Sequence, residues 1–490
     1  MVSAPSLGEL ASLSGGTIYQ GQDVTVEAIG LVAQELAPGA LFAAVPGTRV
    51  HGATFAADTE AAAILTDEAG VKILQKVGET RPILVVPHVR SVLGKVSARV
   101  FGDPSQQLTM IGITGTSGKT TTSYLLEAGL MAEGHKVGLI GTTGTRIDGV
   151  AVPTKLTTPE APKLQELFAQ MRDEGVTHVV MEVSSHAIAL GRVAGTHFTV
   201  GAFTNLSQDH LDFHHSMEEY FEAKAAFFRP GPEHSVVCVD DAWGRRMAEV
   251  AGVDTLTVST GSEPAAVTTR NVVVEPDGSQ RFEVLIDGAP IPVHLPVPGA
   301  FNVANAALAL AAASAAGSDP QVVAQGMSTI QVPGRMEKID AGQDFLAVVD
   351  YAHKPAAVAA VLDTLRQQAT GRIGVVLGAG GDRDAEKRPL MGTAAAERAD
   401  LVIITDDNPR SEDPELIRNA IVAGTVDLPA EVRVIGDRAE AIRAAVSWAG
   451  PGDAIVIAGK GHETGQLVNG VTHHFDDREE LLAALKGEHS

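Results

Sequence analysis

Residues 108–122, with the sequence LTMIGITGTSGKTTT, decide the fold class of this chain. Residues 108–113 are almost all apolar, as in a strand that is buried on both faces of a parallel sheet. A glycine-rich loop follows at once, and residues 123–132 then show the spacing of a helix. A buried strand, a loop and a helix in this order predict an α/β domain with a mostly parallel sheet.

The loop consists of residue types that suit a nucleotide phosphate: Gly115, Thr116, Ser117, Gly118, Lys119, Thr120 and Thr121. Glycines let backbone N–H groups wrap a phosphate, and a helix N-terminus adds partial positive charge. We expect Lys119 to reach the β- and γ-phosphates of ATP and the Thr120 hydroxyl to bind Mg²⁺. Ile113 stands where the generic phosphate-loop pattern has its first glycine. An ordinary glycine-rich turn is the alternative, but the ordered strand, loop and helix favour nucleotide binding.

Length and charge limit the class of protein. A chain of 490 residues is expected to form two to four domains. The net charge of −23 argues against nucleic acid or an anionic membrane as a partner. Cys238 is the only cysteine, so an internal disulfide and a cysteine metal cage are excluded. The N-terminus does not resemble a signal peptide, and the alanine-rich residues 304–316 are too few to span a bilayer. We therefore expect a cytoplasmic protein without membrane insertion.

Three segments are predicted. Residues 1–107 hold short strands and turns, and residues 108–332 contain the phosphate loop and a hairpin-like excursion at 267–298. Residues 333–490 repeat a strand–helix alternation, which predicts a Rossmann-like domain with a parallel sheet. Its expected strands are nearly all apolar: 345–349, 373–377, 401–404, 432–435 and 454–457.

A carboxylate is predicted beside the loop. Residues 179–186, VVMEVSSH, indicate a strand that ends near Glu182 and Ser184. Ligands of open α/β sheets lie at the carboxyl ends of the strands, so Glu182 is placed to bind Mg²⁺ beside Thr120. A solvated surface carboxylate is the alternative.

Two further residues are candidates for metal chemistry. His210, in the polar stretch 204–214, could bind a second metal or act as a hydrogen-bonded loop histidine. Lys224 lies among apolar and aromatic residues of a predicted helix, where a lysine usually extends to the surface. If it is buried, its pKa should fall, and the neutral amine could take up CO₂ as a metal-binding carbamate.

Ordered motifs run through nearly the whole chain. They comprise residues 114–122, EVSSH at 182–186, DHLD at 209–212, Lys224, FNVAN at 301–305, PGRME at 333–337 and DYAHKP at 350–355. In this order and spacing the chain resembles the Mur ligases. Four further motifs resemble those of the tripeptide synthetases of that family: LTTP at 156–159, GGDRD at 380–384, DNPR at 407–410 and GKGHE at 459–463.

The resemblance implies an ATP-dependent amide ligase. It implies a UDP-substrate-binding domain at 1–107, a central P-loop ATPase domain at 108–332 and an amino-acid-binding, Rossmann-like domain at 333–490. The substrates would be ATP, UDP-N-acetylmuramoyl-L-Ala-D-Glu and meso-diaminopimelate, with Mg²⁺ as cofactor and an acyl phosphate as intermediate. We expect the enzyme to act in peptidoglycan synthesis as a monomer.

The resemblance also assigns site residues. The catalytic set is Lys119, Glu182, His210, Lys224 and Arg335. Thr120, Glu182, His210 and Lys224, the last as N6-carboxylysine, would hold metal. Beyond the loop, ATP would contact Asn305, Arg335, Asp350 and His353. The muramoyl-dipeptide would contact Thr157, Thr158, Ser184 and Arg192, with Ala33, Thr48, Arg49 and Val50 near the uridine. Diaminopimelate would contact Arg383, Asp407, Asn408, Pro409, Arg410, Gly459 and Glu463.

Arg410 is the residue on which the choice of amino acid depends. Diaminopimelate differs from lysine by one distal carboxylate, and a guanidinium binds a carboxylate through two parallel hydrogen bonds. Lysine would leave Arg410 unpaired, at a cost of about 1–3 kcal/mol. The alternative is that Arg410 caps a loop through Asp406 or Asp413. A lysine-adding synthetase remains the alternative function.

Two positions depart from the family pattern. Many relatives have Asp-Ser-Arg where this chain has Val32, Ala33 and Gln34, and glutamine where it has Leu190. Both changes concern the uridine and substrate contacts and leave the phosphoryl-transfer groups in place. A folylpolyglutamate synthetase-like ligase and a P-loop switch ATPase are the remaining alternatives.

Overall fold

The computed structural model describes residues 4–154, 156–229, 231–275 and 277–488. Three principal sheets are present, with five, eleven and six strands, and each sheet takes its strands from one of the three predicted segments. Helices alternate with the parallel strands, as the apolar runs of the sequence predict. The segment boundaries at 107/108 and 332/333 remain a prediction.

The N-terminal segment is a small α/β unit. Its strand order is β1-β5-β4-β3-β2, and only β1 is antiparallel to its neighbour. Ser6 and Glu9 form a capping box at the start of α1, and Gly15 ends that helix in the left-handed region at φ 67°. The elements are β1 (Thr17–Gln20), β2 (Ala28–Gly30), β3 (Ala40–Ala43), β4 (Ala63–Thr66), β5 (Ile83–Val85), α1 (Leu7–Ser14), α2 (Glu68–Lys76) and α3 (Val89–Val100).

The central segment carries the largest sheet, in the order β16-β15-β14-β13-β12-β11-β6-β10-β7-β8-β9. Its strands are β6 (Thr109–Thr114), β7 (Val137–Gly141), β8 (Gly144–Ile147), β9 (Val150–Val152), β10 (His178–Glu182), β11 (Val200–Phe203), β12 (His234–Cys238), β13 (Leu256–Ser259), β14 (Val267–Val274), β15 (Gln280–Ile286) and β16 (Ala289–Leu295). In the middle of this sheet, neighbouring strands run parallel: β14, β13, β12, β11, β6, β10 and β7. At the two edges, β15 and β16 and likewise β8 and β9 run antiparallel to their neighbours. The predicted hairpin forms one edge; of its expected turn, Pro276 lies outside the described residues, and Gly278 has φ 81°.

Helices cover both faces of this sheet: α4 (Lys119–Ala132), α5 (Ala161–Asp173), α6 (Ser185–Ala189), α7 (Leu211–His214), α8 (Met217–Ala225), α9 (Ala242–Ala251), α10 (Ala300–Ala315) and α11 (Pro320–Gly326). The alanine-rich helix α10 is buried in the core, where its small side chains allow close packing against α4 and the sheet. Within the described part of the chain, helices of the length and apolarity required to cross a membrane are absent.

The start of α4 was predicted four residues too late. The helix begins at Lys119, directly after Gly118, which takes the left-handed conformation at φ 88°. Residues 119–122 are polar, so hydrophobic periodicity could not reveal that they are helical. The true start places the helix N-terminus at the end of the glycine-rich loop.

The C-terminal segment has the strand order β17-β18-β22-β19-β20-β21, with all strands parallel except β17. Its elements are β17 (Glu337–Lys338), β18 (Leu346–Asp350), β19 (Ile373–Leu377), β20 (Leu401–Ile404), β21 (Glu431–Val434), β22 (Ala454–Ala458), β23 (Gly465–Val468), β24 (Val471–His474), α12 (Pro355–Gln368), α13 (Lys387–Ala396), α14 (Pro414–Val422), α15 (Arg438–Trp448) and α16 (Asp477–Lys486). The five predicted strands are present within one residue of their expected ends. The sequence did not indicate β17, which has two residues, or the β23–β24 hairpin, whose second strand is exposed.

Candidate active site

A cavity of about 450 Å³ lies between the glycine-rich loop and α12. Strands β6, β7, β10 and β11 end at the same edge of the central sheet, so the residues that follow them meet there. The cavity brings together most of the predicted nucleotide and metal residues: Thr116, Ser117, Gly118, Lys119, Thr120, Thr121, Glu182, His210, Asn305, Arg335, Asp350 and His353. Two of the predicted muramoyl-dipeptide residues, Thr157 and Ser184, also line it.

Close approach explains both glycines of the loop. A Cβ atom on Gly115 would lie 1.9 Å from Thr204 Oγ1, and one on Gly118 would lie 2.3 Å from Asn305 Oδ1. The Thr204 hydroxyl donates to the Ser117 carbonyl at 2.7 Å, and this bond anchors the loop from β11. The loop is therefore held in shape before any ligand binds.

Lys119 lies over the loop. Its Nζ donates to the carbonyl oxygens of Gly115 and Thr116, at 2.8 and 3.0 Å. Burial lowers the pKa of Lys119 to about 8, and the carboxylate of Glu182 opposes that shift. The ammonium group of Lys119, which would donate to a phosphate, thus donates to backbone carbonyls of the loop itself.

Glu182 is fixed by two threonines. Its Oε1 accepts from the Thr120 hydroxyl at 2.9 Å and from the Thr142 backbone N–H at 2.9 Å, and its Oε2 accepts from the Thr142 hydroxyl at 2.9 Å. Sequence reasoning missed Thr142. Its position after β7, a strand adjacent to β10, is the signal that could have indicated it.

These oxygens fit a magnesium ion. Within the described residues there is no group of three or more His, Cys, Asp or Glu side chains that could form a metal cage. Mg²⁺ prefers oxygen ligands and usually keeps phosphate oxygens and waters in its shell. Thr120 and Glu182 supply the kind of partial ligand set that such an ion needs.

His210 lies at the cavity wall in a left-handed conformation, with φ 55°. Its Nε2 is 3.1 Å from Asp209 Oδ2, and its ring stands edge-on to His186 at 4.9 Å. Burial lowers the pKa of His210 to about 3, so the imidazole is neutral at pH 7. A neutral imidazole has the lone pair that metal ligation requires.

Lys224 is buried and does not extend to the surface. It lies on α8 behind the loop, with Nζ donating to the Gly115 carbonyl at 2.9 Å and 4.7 Å from the centre of the Tyr220 ring. Burial, together with nearby Lys119 and Lys354, holds the pKa of Lys224 well below its usual range. Lys224 is therefore buried with a lowered pKa, which are the two features that favour the neutral amine.

The C-terminal segment completes the cavity. Arg335 Nη2 is 3.2 Å from the Thr120 hydroxyl, and its guanidinium lies 4.4 Å from the centre of the Tyr351 ring. Asp350 accepts from the backbone N–H groups of Met336 and Ala352, and burial raises its pKa. His353 is half-buried, and desolvation holds its pKa well below the usual range. Arg335 is thus placed beside the loop, whereas Asp350 shapes the backbone around it.

The predicted muramoyl-dipeptide residues surround one edge of the cavity. The Thr158 hydroxyl donates to the Glu182 carbonyl at 2.8 Å, and Ser184 caps α6 by accepting from the Ala187 N–H at 3.2 Å. Thr157 Oγ1 is 3.4 Å from Thr142 Oγ1. Arg192 pairs with Glu160 at 2.9 Å and donates to the Thr158 carbonyl.

The predicted uridine residues lie apart from this cavity, in the N-terminal segment. Ala33 is buried in a short 3₁₀ turn, Ala33–Glu35. Thr48, Arg49 and Val50 form an exposed loop, which is closed by a hydrogen bond from the Gly47 N–H to the Val50 carbonyl at 3.1 Å.

The predicted amino-acid residues form a second cluster within the C-terminal segment. Asn408 Nδ2 donates to Glu463 Oε2 at 2.8 Å, and Lys460 Nζ donates to Asn408 Oδ1 at 3.2 Å. A Cβ atom on Gly459 would lie 2.6 Å from Asp407 Oδ2. Lys460 is fully buried and 3.6 Å from Asp407, although sequence reasoning gave it no role. Tyr351 connects this cluster to the cavity, with its hydroxyl 3.5 Å from Glu463 Oε1.

Arg410 has a constrained backbone. Its φ is 55°, and its N–H donates to the Leu467 carbonyl on β23 at 2.9 Å. Its Nη1 donates to the Gly381 carbonyl at 2.5 Å, and the charges of Arg410 and Arg383 help to lower the pKa of Asp382, after the hydrogen bonds from Ser411. The alternative of capping through Asp406 or Asp413 is not observed, because Asp406 accepts from Arg418 and Asp413 caps α14.

Comparison with known proteins agrees with this geometry. Residues 113–313 match the Mur ligase middle domain, and residues 334–461 match the Mur ligase, glutamate ligase domain. The UDP-N-acetylmuramoyl-L-alanyl-D-glutamate–2,6-diaminopimelate ligase of Corynebacterium efficiens is 64% identical over 501 aligned positions, which cover 99% of this chain and 95% of that protein. The ligase of the same name from Streptomyces coelicolor is 47% identical, covering 99% and 97%.

Solved structures show the same fold. A structure of UDP-N-acetylmuramoyl-L-alanyl-D-glutamate–2,6-diaminopimelate ligase superposes with a TM-score of 0.69 at 32% identity, and 99% of each chain is covered. A Mycobacterium tuberculosis folylpolyglutamate synthase gives a TM-score of 0.62 at 20% identity over 76% of this chain and 92% of its own, which is a likeness of fold alone. The α/β three-sheet fold is therefore confirmed. This chain belongs to the Mur ligase family of ATP-dependent, amide-bond-forming enzymes.

Proposed function

We propose that this enzyme adds meso-diaminopimelate to UDP-N-acetylmuramoyl-L-Ala-D-Glu in peptidoglycan biosynthesis, with ATP as co-substrate. One observation carries this proposal: the Asp407–Glu463 cluster adjoins the phosphate-loop cavity through Tyr351, and Arg410 follows Asn408 of that cluster by two residues. Relatives that are 64% and 47% identical to this chain are named for this reaction. We further propose that the enzyme acts as a monomer in the cytoplasm.

The first step activates a carboxylate. An oxygen of the D-Glu side-chain carboxylate attacks the γ-phosphorus of ATP, and the bond from that phosphorus to the β,γ-bridging oxygen breaks. The products are an acyl phosphate and ADP, so the total charge is conserved. Two anions must approach each other, and Lys119 and Arg335, two of the cations on the cavity wall, reduce their repulsion.

The second step forms the amide. The free amine of diaminopimelate attacks the acyl carbon, the carbon–oxygen bond to the phosphate breaks, and inorganic phosphate leaves. The amine loses one proton in this step. The departing phosphate takes up this proton and leaves as hydrogen phosphate.

Magnesium, when bound, would neutralise charge on the transferred phosphoryl group. Thr120 and Glu182 would hold it on one side, and His210 and a carbamylated Lys224 would hold a second ion. Carbamylation joins the neutral Nζ of Lys224 to the carbon of CO₂ and releases one proton. The burial of Lys224 and its lowered pKa support this modification.

Substrate contacts follow the same arrangement. Thr157, Thr158, Ser184 and Arg192 would hold the muramoyl-dipeptide at the edge of the cavity, and release of Arg192 from Glu160 would free its guanidinium for a carboxylate. The exposed loop with Thr48, Arg49 and Val50, together with the backbone near Ala33, would hold the uridine. This chain has no serine hydroxyl at Ala33, so the uridine contact is assigned to the backbone and the loop.

Arg410 would select diaminopimelate. Its guanidinium would bind the distal carboxylate, with Arg383 nearby, and Asn408 and Glu463 would bind the distal amine beside Gly459. The backbone of residues 407–410, including Pro409, sets the position of this arginine.

The test is an amino-acid specificity assay with purified protein, UDP-muramoyl-dipeptide, Mg-ATP and either diaminopimelate or lysine. We expect phosphate release and a tripeptide product only when the dipeptide and diaminopimelate are both present. Equal rates with lysine would favour a lysine-adding ligase. Phosphate release that needs neither substrate would favour a switch ATPase and contradict the proposal.

A further inference from the structure

Lys354 is a cation of the cavity wall to which the proposed mechanism gives no role. It precedes α12, and its side chain is 9% exposed. Its Nζ is 2.8 Å from Asp209 Oδ2 and 3.4 Å from the Thr116 carbonyl oxygen. A lysine of the C-terminal segment therefore reaches the phosphate loop of the central segment, 238 residues away in sequence.

Lys354 shares its backbone acceptor with Lys119. The Thr116 carbonyl also accepts from Lys119 Nζ, at 3.0 Å. Two ammonium groups that converge on one oxygen repel each other, and the nearby carboxylate of Asp209 offsets one of the two charges. A bound phosphate would offer both lysines a stronger, charged acceptor than this carbonyl.

The neighbouring helix strengthens this arrangement. Pro355 begins α12, which has 14 residues, and Ala356 and Ala357 of its first turn line the cavity. The N-terminus of a helix carries partial positive charge and unpaired backbone N–H groups. Lys354 and this helix end thus present positive charge to the same space as the glycine-rich loop.

We propose that Lys354 is a second phosphate-binding lysine, which leaves Asp209 and Thr116 to bind the terminal phosphate of ATP and remains with that phosphate as it moves to the substrate carboxylate. This inference rests on the proposed function, since it assumes that ATP occupies the cavity. Asp209 holds the ammonium beside the loop when nucleotide is absent. Lys119 acts from the loop side and Lys354 from the side of the C-terminal segment.

The inference predicts a difference between two nucleotides. ADP has no terminal phosphate for Lys354 to bind, whereas β,γ-methylene-ATP has one and does not react. In Lys354→Met, affinity for Mg-β,γ-methylene-ATP should fall about ten- to hundred-fold, the usual effect of losing a hydrogen bond between charged groups. Affinity for Mg-ADP should stay close to that of the wild type. Isothermal titration calorimetry measures both constants.

Control variants identify the cause. Lys486→Met removes one charge from the same segment, on the exposed last turn of α16, and should change neither constant. Lys354→Arg keeps the charge and should restore part of the preference for the ATP analogue over ADP. If Lys354→Met does not fold, Lys354→Gln, which can still donate to Asp209, replaces it in the same measurement.

A purely structural role would give another result. If Lys354 only joins two segments, Asp209→Asn should reproduce Lys354→Met, and both nucleotides should lose affinity equally. That outcome, or full retention of analogue binding in Lys354→Met and Lys354→Gln, would overturn the inference. Because calorimetry needs no muramoyl-dipeptide or diaminopimelate, a failure of the proposed amide reaction leaves this measurement decisive.

Discussion

The phosphate-loop cavity and the Asp407–Glu463 cluster are built in opposite ways. The cavity takes its side chains from two segments, since Lys119, Thr120 and Glu182 meet Arg335 and Lys354 there. The cluster takes Asp407, Asn408, Lys460 and Glu463 from one segment, within a single parallel sheet and its loops. Tyr351 contacts both, through Arg335 on one side and Glu463 on the other.

The two regions also differ in the partners of their lysine side chains. Around the loop, Lys119 and Lys224 donate to backbone carbonyls, whereas Lys354 pairs with Asp209. In the cluster, Lys460 lies near both Asp407 and Glu463. Lysines that donate to backbone carbonyls can turn to the phosphates of a polyanion such as ATP, whereas a cluster of paired charges suits an amino acid that carries both charges.

The largest expected effect is on the rate of ligation and concerns the cavity but not the cluster. Lys119→Ala should lower kcat/KM for the ligation about a thousand-fold, because a cation that stabilises the transferred phosphoryl group is lost. Diaminopimelate affinity should be unchanged. Steady-state kinetics and calorimetry measure these quantities, with Lys486→Met as the control. A parallel loss of diaminopimelate binding would mean that the two regions are not independent.

The second prediction concerns the support of the cluster. Arg438 and Asp477 form a fully buried ion pair at 2.7 Å, and Arg438 also donates to the Ala458 carbonyl at 2.9 Å, next to Gly459. Arg438→Met should destabilise the C-terminal segment by about 3–5 kcal/mol, since Asp477 is left buried and unpaired.

Urea unfolding can follow this loss with the two tryptophans. Trp448 ends α15 in the C-terminal segment, and Trp243 lies on α9 of the central segment. The transition reported by Trp448, in a Trp243→Phe background, should shift, and the double variant Arg438→Met/Asp477→Leu should recover most of the loss. An unchanged Trp448 transition in the single variant would contradict the prediction.

The third prediction concerns specificity. Arg410→Ala should reduce the preference for diaminopimelate over lysine about ten- to hundred-fold, because the distal carboxylate loses its guanidinium partner. The KM for ATP should not change, since Arg410 lies in the cluster. The measurement is kcat/KM for both amino acids, and Arg433→Ala, a surface arginine paired with Glu431, is the control. Unchanged selectivity would remove Arg410 from the site.

The smallest effect concerns the sheet that carries the nucleotide site. His178 begins β10, whose other end carries Glu182, and burial followed by the charge of His135 lowers the pKa of His178 to about 4. In the unfolded chain the His178 imidazole is protonated below about pH 6.5, whereas in the folded chain it stays neutral down to about pH 4. The free energy of unfolding is therefore unaffected by His178 above pH 6.5 and falls as the pH drops from there toward 4.

Between pH 7 and pH 5 the loss should be about 1–2 kcal/mol. Thermal or urea unfolding of the central segment, reported by Trp243, measures it. His178→Gln should lack this part of the pH dependence, whereas His474→Gln should keep it, because His474 is exposed and its pKa is raised by Glu479. An identical pH dependence in wild type and His178→Gln would contradict the assignment.

Much of the nucleotide site was predictable because its parts are adjacent in sequence. Residues 108–122 contain the strand, the loop, both close-approach glycines, Lys119 and Thr120, and their local conformation depends on neighbours. The strands of the C-terminal segment were predictable because residues buried on both faces must be apolar. The two-residue β17 and the exposed β24 were missed because neither has such a run.

The sequence by itself determined the fold class, the phosphate loop and the arginine at position 410. Tertiary structure alone decided that Thr142 holds Glu182, that Lys224 is buried, that Lys460 lies between Asp407 and Glu463, and that Lys354 reaches Asp209 and Thr116. The physical reason is range. A loop conformation follows from glycines and hydrogen bonds a few residues apart, whereas a contact between Lys354 and Asp209 exists only after two separately folded sheets have packed against each other.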